Sequence, residues 1–169
     1  MATTKNKFLG IMIALLIIPL VIMFSACGGI KVEGKTYTFD KQEAYFADDV
    51  TIQQLQTAAD DLEVACTVTE ENIDEAKQQI LAAFLEEQDP GEGSYAFGKD
   101  QVTASFDGHA FTGTYKIEGK KITVTTSMGP YTTVQVYKIV DNKTIVMSSL
   151  DNPGYFPEGI VYNAYFTVK

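Results

Sequence analysis

The sequence predicts a mainly β domain (α+β): an antiparallel meander closed into a barrel or half-barrel, with one or two helices after its first strand and an apolar signal helix in front. Three observations predict it. From Ser94 to Lys169, short stretches alternating apolar and polar residues recur at even spacing, separated by Gly, Asp and Asn turns. Between residues 48 and 88, apolar residues recur instead at intervals of three and four. Ahead of both lies an apolar run, Phe8 to Phe24, preceded by Lys5 and Lys7.

The leader has the order of an export signal: a positive start, an apolar core, then the small residues Ser25 and Ala26 before Cys27. A run of about 20 apolar residues also suffices for an uncleaved membrane helix; either reading puts the rest of the chain outside the cytoplasm. The stretch Phe24-Ser25-Ala26-Cys27 resembles the lipobox of bacterial lipoproteins. That resemblance implies cleavage before Cys27, a diacylglyceryl group on its sulfur, and attachment to the outer, extracytoplasmic face of the cell membrane. Two or three acyl chains hold firmly, since each buried methylene contributes about 0.8 kcal/mol. The chain then divides into a signal peptide (1–26), a lipidated N-terminus with a short tether (27–34), and one domain (35–169) with a helical insertion (48–88).

Within that domain, Tyr37 and Phe39 alternate with polar neighbours, which predicts a first strand over 35–40. Asp48-Asp49 offers a helix cap, and Ile52, Leu55, Ala59 and Leu62 follow as one face of a helix. Residues 62–68 fit either a continuing helix or an extended link. Thr69 caps a second predicted helix over 70–88, with acids in its first turn, where the helix dipole favours them, and Ile73, Ala76, Ile80 and Phe84 as its buried stripe. The Asp89-Pro90-Gly91 cluster ends it. Seven strands follow, at Tyr95–Phe97, Val102–Phe106, Phe111–Ile117, Ile122–Val124, Val134–Val136, Thr144–Ser149 and Val161–Val168. Asp107-Gly108, Gly119-Lys120, Gly129-Pro130 and Asp141-Asn142 supply turns between them. Closure of such a meander removes two unpaired edges.

Phe106-Asp107-Gly108, the hairpin Gly113-Thr114-Tyr115 through Val124, and the closing Tyr165-Phe166-Thr167-Val168-Lys169 resemble the lipocalin-like (calycin-type) domains of many lipoproteins of low-GC Gram-positive bacteria. The likeness spans roughly residues 94–169 and the first strand. The family's first-strand Trp and last-strand Arg have no counterpart, because the chain contains neither residue type. What the resemblance implies is therefore the barrel architecture, with no particular ligand.

Composition narrows the function. Without the leader, 11 Lys face 22 acidic residues, a net charge of about −11. An acidic chain without arginine is poorly suited to nucleic acid or phosphate recognition. With Cys27 acylated, Cys66 has no disulfide partner and reads as a small buried core residue. A lone His109 beside a turn makes neither a catalytic triad nor a zinc site, and paired acids such as Asp60-Asp61 read as solvated helix surface. No metal or cofactor is expected, and no catalysis. The sequence instead points to binding of a small apolar ligand in or at the mouth of the barrel, with Phe106, Phe111, Tyr115 and Tyr165 as candidate lining. Tyr155 and Phe156, on a loop stiffened by Pro153 and Pro157, either cap the barrel end or contact a ligand or partner. The competing expectation is a surface interaction or structural protein whose barrel is packed solid and whose partner is an envelope or surface protein.

Overall fold

The computed structural model describes residues 31–169 apart from Pro90 and Gly129. The leader, its cleavage site and Cys27 lie outside the described residues. None of the described helices is long and apolar enough to cross a membrane.

Eight antiparallel strands close into a barrel in sequence order, β1 (Thr36–Phe46), β2 (Ser94–Phe97), β3 (Gln101–Phe106), β4 (His109–Glu118), β5 (Lys121–Met128), β6 (Tyr131–Ile139), β7 (Thr144–Ser148) and β8 (Ile160–Val168). β1 pairs with β8 along nearly its whole length and closes the ring. Two helices, α1 (Ile52–Asp61) and α2 (Ile73–Glu87), are inserted between β1 and β2. Each strand alternates its side chains between barrel interior and surface. Directly paired residues share a side, so one parity can be followed round the ring: Ala104 opposite Phe111, Gly113 opposite Thr126, Thr126 opposite Thr133, Tyr137 opposite Met147, Met147 opposite Ala164, all facing inward.

The first strand runs six residues beyond the predicted end at Asp40. A bulge between Phe39 and Lys41 shifts the register there. Tyr37 and Phe39 face inward before it, and Gln42, Ala44 and Phe46 after it, so the period-two pattern changes phase at Asp40. Without the bulge, Lys41 and Glu43 would enter the barrel. With it, they form an ion pair on the surface, and the Lys41 ammonium lies 4.6 Å from the ring centre of Tyr165.

The helix caps also differ from expectation. Thr51, not Asp48 or Asp49, caps α1: its hydroxyl accepts from the Gln54 amide, and the Gln54 side chain accepts from the Thr51 N–H at 2.9 Å. This reciprocal pair satisfies two donors at once, which a carboxylate two residues upstream has no geometry to do. α1 ends at Asp61. Glu63 adopts φ 54°, and residues 64–68 run without regular structure, so the helix does not continue through the link. Thr69 and Asn72 fold into a turn, with the Asn72 side chain accepting from the Thr69 N–H at 2.8 Å; α2 therefore begins at Ile73, with Asn72 as cap residue. Cys66 sits on this irregular link and is half-buried, not enclosed in the core. The β3–β4 connection is the tight turn expected: Asp107 and Gly108 both have positive φ, 48° and 77°, the geometry that matches the strand twist of a two-residue hairpin.

Where β6 and β7 diverge, the ladder is completed by a side chain. The Asn152 amide is buried; it accepts from the Val136 N–H at 2.8 Å and donates to the carbonyls of Val136 and Ser148 at 2.9 and 2.8 Å. It thus stands in for a peptide unit of the missing strand segment. Next to it, Asp151 settles an electrostatic conflict. Lys121 and Lys138 lie directly opposite each other on the outer face of β5 and β6, an arrangement that repels. The Asp151 carboxylate reaches both, at 2.7 and 3.1 Å. Hydrogen bonding to Lys121, then to Lys138, holds the Asp151 carboxyl below its ordinary value of 3.8 despite partial burial. A group with a lowered folded-state value contributes stability that is complete above the unfolded value and is lost as pH falls through the folded one. Urea titrations from about pH 5 down to about pH 2 should therefore show the parent chain losing stability faster than Asp151→Asn. Parallel pH profiles would show that the bridge does not hold.

Candidate functional site

The barrel has two unlike halves. At the end that carries Val32, the 98–100 and 119–120 turns and the 140–143 loop, the interior is filled. Tyr37, Phe97, Val102, Ile122, Val124, Ile139 and Ile145 are all at most 2% exposed, and Tyr37 meets Phe97 edge to face at 5.7 Å. The Tyr37 hydroxyl has no hydrogen-bond partner among the described residues. At the other end, which carries the two helices, the Asp107-Gly108 turn and the 149–159 connection, the interior opens into a cavity of about 320 Å³. That volume lies within the range of small-molecule sites.

The floor of the cavity is a cluster of rings. Tyr95 packs edge to face on Phe106, Tyr137 and Phe166, at 5.3, 5.0 and 5.2 Å. Three polar atoms meet beside these rings. The Tyr95 and Tyr137 hydroxyls hydrogen-bond each other, and both lie near the Gln135 side-chain oxygen, at 3.2 and 3.0 Å. Counting protons assigns the amide. Each hydroxyl has one hydrogen to give, so a chain Tyr–Tyr–Gln that ends on the carbonyl oxygen satisfies both. With the amide reversed, one buried hydroxyl proton would lack an acceptor. The Gln135 NH₂ group has no partner among the described residues, and Gln135 lines the cavity. Burial raises Tyr95 to about 12 and holds Tyr137 well above its ordinary value, so both stay neutral.

Ala104, Phe106, Phe111, Met147 and Ala164 make the apolar part of the lining, and β5 and β6 add the inward-facing hydroxyls of Thr126 and Thr133. Gln88, which caps the C-terminus of α2, completes the rim. A smaller recess of about 180 Å³ shares Gln88, Gln135 and Met147 with the main cavity and extends to Tyr155 and Phe156. Among the described residues, none that lines either space is charged.

α2 roofs this end. Its Phe84 is fully buried, 5.5 Å from the Tyr162 ring and 6.3 Å from Phe156. Two polar links fasten it: Gln42 donates to the Leu85 carbonyl at 2.8 Å, and the Tyr162 hydroxyl donates to the Gln42 oxygen at 3.0 Å. Burial, with a further contribution from Asp89, raises Tyr162 to about 12, so it remains a donor.

Of the residues the sequence singles out, the structure brings Phe106 and Phe111 to the main cavity and Tyr155 and Phe156 to the adjoining recess. Phe156 folds inward onto Phe84 and Tyr162, while Tyr155 is 54% exposed. Tyr115 and Tyr165 are not lining residues. Tyr115 shares the inward parity of β4 but lies at the filled end, packed on Phe97, with its hydroxyl donating to the Gly98 carbonyl at 2.8 Å. Tyr165 sits between the inward-facing Ala164 and Phe166, so it points outward, where it donates to Glu43 at 3.1 Å. Sequence reasoning missed Tyr95, Gln135, Met147 and Tyr162. The parity of β8 held the signal for Tyr162. Nothing local marks Gln135, a polar residue at an inward position. His109 is exposed at the start of β4. No group of three or more His, Cys, Asp or Glu side chains is placed to hold a metal among the described residues.

Fold and site together define a closed eight-stranded antiparallel barrel with one half packed, the other hollow, and a helical roof over the hollow half. Comparison of the chain with protein-family models, curated proteins and solved structures found no match.

Proposed function

We propose that this is an exported, lipid-anchored protein of lipocalin-like type that holds a small, largely apolar molecule in the hollow half of its barrel, without catalysing a reaction on it. The observation that carries the reading is the cavity: about 320 Å³ lined by Phe106, Phe111, Met147 and Phe166, with a few convergent polar groups, the usual make-up of a small-molecule site. The leader Met1–Ala26 and Cys27 support the anchored part of the reading through their sequence alone. Tyr131, Leu150 and Tyr155, exposed at the end where the cavity lies, favour a second reading in which that rim docks an envelope or surface protein. Native mass spectrometry of the full chain extracted from membranes tests both. The first reading expects a mass beginning at an acylated Cys27, with a small molecule released on collisional activation. A chain starting at Met1 would overturn the anchor. An empty cavity in protein that retains a polypeptide partner would favour the docking surface.

A further inference from the structure

We infer that the cavity selects an uncharged molecule bearing a hydrogen-bond acceptor, which the Gln135 amide receives, and that it rejects carboxylates. The inference rests on the binding reading above and specifies its ligand. Three observations carry it. First, among the described residues none lining the cavity or its recess is charged, and the chain has no arginine at all. A carboxylate seated here would leave water without a counterion, the costly case for a buried charge. The negative charge of the whole domain would oppose it further.

Second, the polar group left open at the cavity floor is a donor. The Gln135 oxygen is engaged by the Tyr95–Tyr137 pair, which leaves its NH₂ group without a protein partner. An unpartnered donor that faces the cavity is best met by a carbonyl, ester or ether oxygen of the occupant. A cation would meet the same NH₂ group with the wrong polarity. Third, the rings of the floor are turned edge to face on one another, so Tyr95 and Phe166 are already engaged with other rings and do not form an open cage for an ammonium group. The apolar lining, with Phe111 and Met147, accepts the hydrocarbon part.

The test uses the full chain in lipid nanodiscs with ¹³C-methyl methionine, reading the Met147 signal, and four probes with one skeleton: octane, 2-octanone, octanoate and octyltrimethylammonium. 2-Octanone should shift Met147 saturably and bind about fivefold more tightly than octane, the size expected of one net hydrogen bond. Octanoate at neutral pH should bind on the order of a hundredfold more weakly than the ketone. Gln135→Leu should remove the ketone's advantage over octane while octane still binds. The ranking of the four probes on the unaltered chain tests the inference even if that variant does not fold. Octanoate or the ammonium binding as well as the ketone, or a ketone no better than octane, would overturn the head-group inference and leave the binding reading standing. Met147 unmoved by every probe would overturn both.

Discussion

Replacing Phe84 with Ala is expected to lower the stability of the domain by about 3–5 kcal/mol, the usual cost of removing a large aromatic side chain from a closed core. The ring is fully buried and touches both Tyr162 of β8 and Phe156 of the 149–159 connection, so it joins three separate parts of the chain. Neighbouring side chains cannot easily fill the space, because the hollow half already contains a void beside it. Two outcomes should be seen together in urea unfolding followed by far-UV circular dichroism and by hydrogen exchange. The global midpoint should fall, and amides of α2 should exchange faster than those of the filled end. A loss under about 1 kcal/mol would mean that α2 is held by the Gln42 and Tyr162 hydrogen bonds and not by its aromatic anchor.

The second large effect is expected at Gly113. A methyl group added there would strike the Thr125 carbonyl of the neighbouring strand and approach the Thr126 methyl at 2.9 Å. The obstacle is backbone, so no rotamer change relieves it; β4 must move away from β5 or lose register. Gly113→Ala should therefore cost about 3 kcal/mol, at the upper end of overpacking effects. A domain stable by about 5–15 kcal/mol would feel either change strongly. As a control, Thr114→Ala, one residue along and facing solvent, should change stability by less than about 0.5 kcal/mol. Equal effects at the two positions would show that the strands do not approach as closely as the structure has them. The explanation for Gly113 lies in strand spacing, not backbone torsion, and sequence alone does not distinguish the two.

What was legible in the sequence follows from local rules. Alternation from Tyr95 onward, with Asp107-Gly108 and Gly119-Lys120 as turns, marked the strands, because a two-residue connection leaves an antiparallel neighbour little freedom. The stripe Ala76, Ile80, Phe84 marked α2, and all three are buried. What failed did so for identifiable reasons. The bulge at Asp40 broke the phase of β1, so its second half did not read as strand. Inward parity was assigned correctly to Phe106 and Phe111, but depth along the barrel axis was not available from alternation, and Tyr115 fell in the filled half. Tyr165 lies against the parity of its neighbours Ala164 and Phe166, which places it outside. Gln135 and Asn152 were invisible for a deeper reason: each is a polar residue whose partners, Tyr95 across the barrel and Val136 on a neighbouring strand, are supplied only by tertiary structure.

The split between a solid half and a hollow one divides the tolerance to change along the barrel axis. Tyr37, Phe97, Val102, Ile122, Ile139 and Ile145 hold the strands in register on their own, so the side chains around the void are released from that duty. Substitutions at Phe111, Thr126 or Thr133 can then reshape what fits while the scaffold stays intact. One half of the molecule supplies permanence, and the other leaves room for side chains of different volume near the mouth.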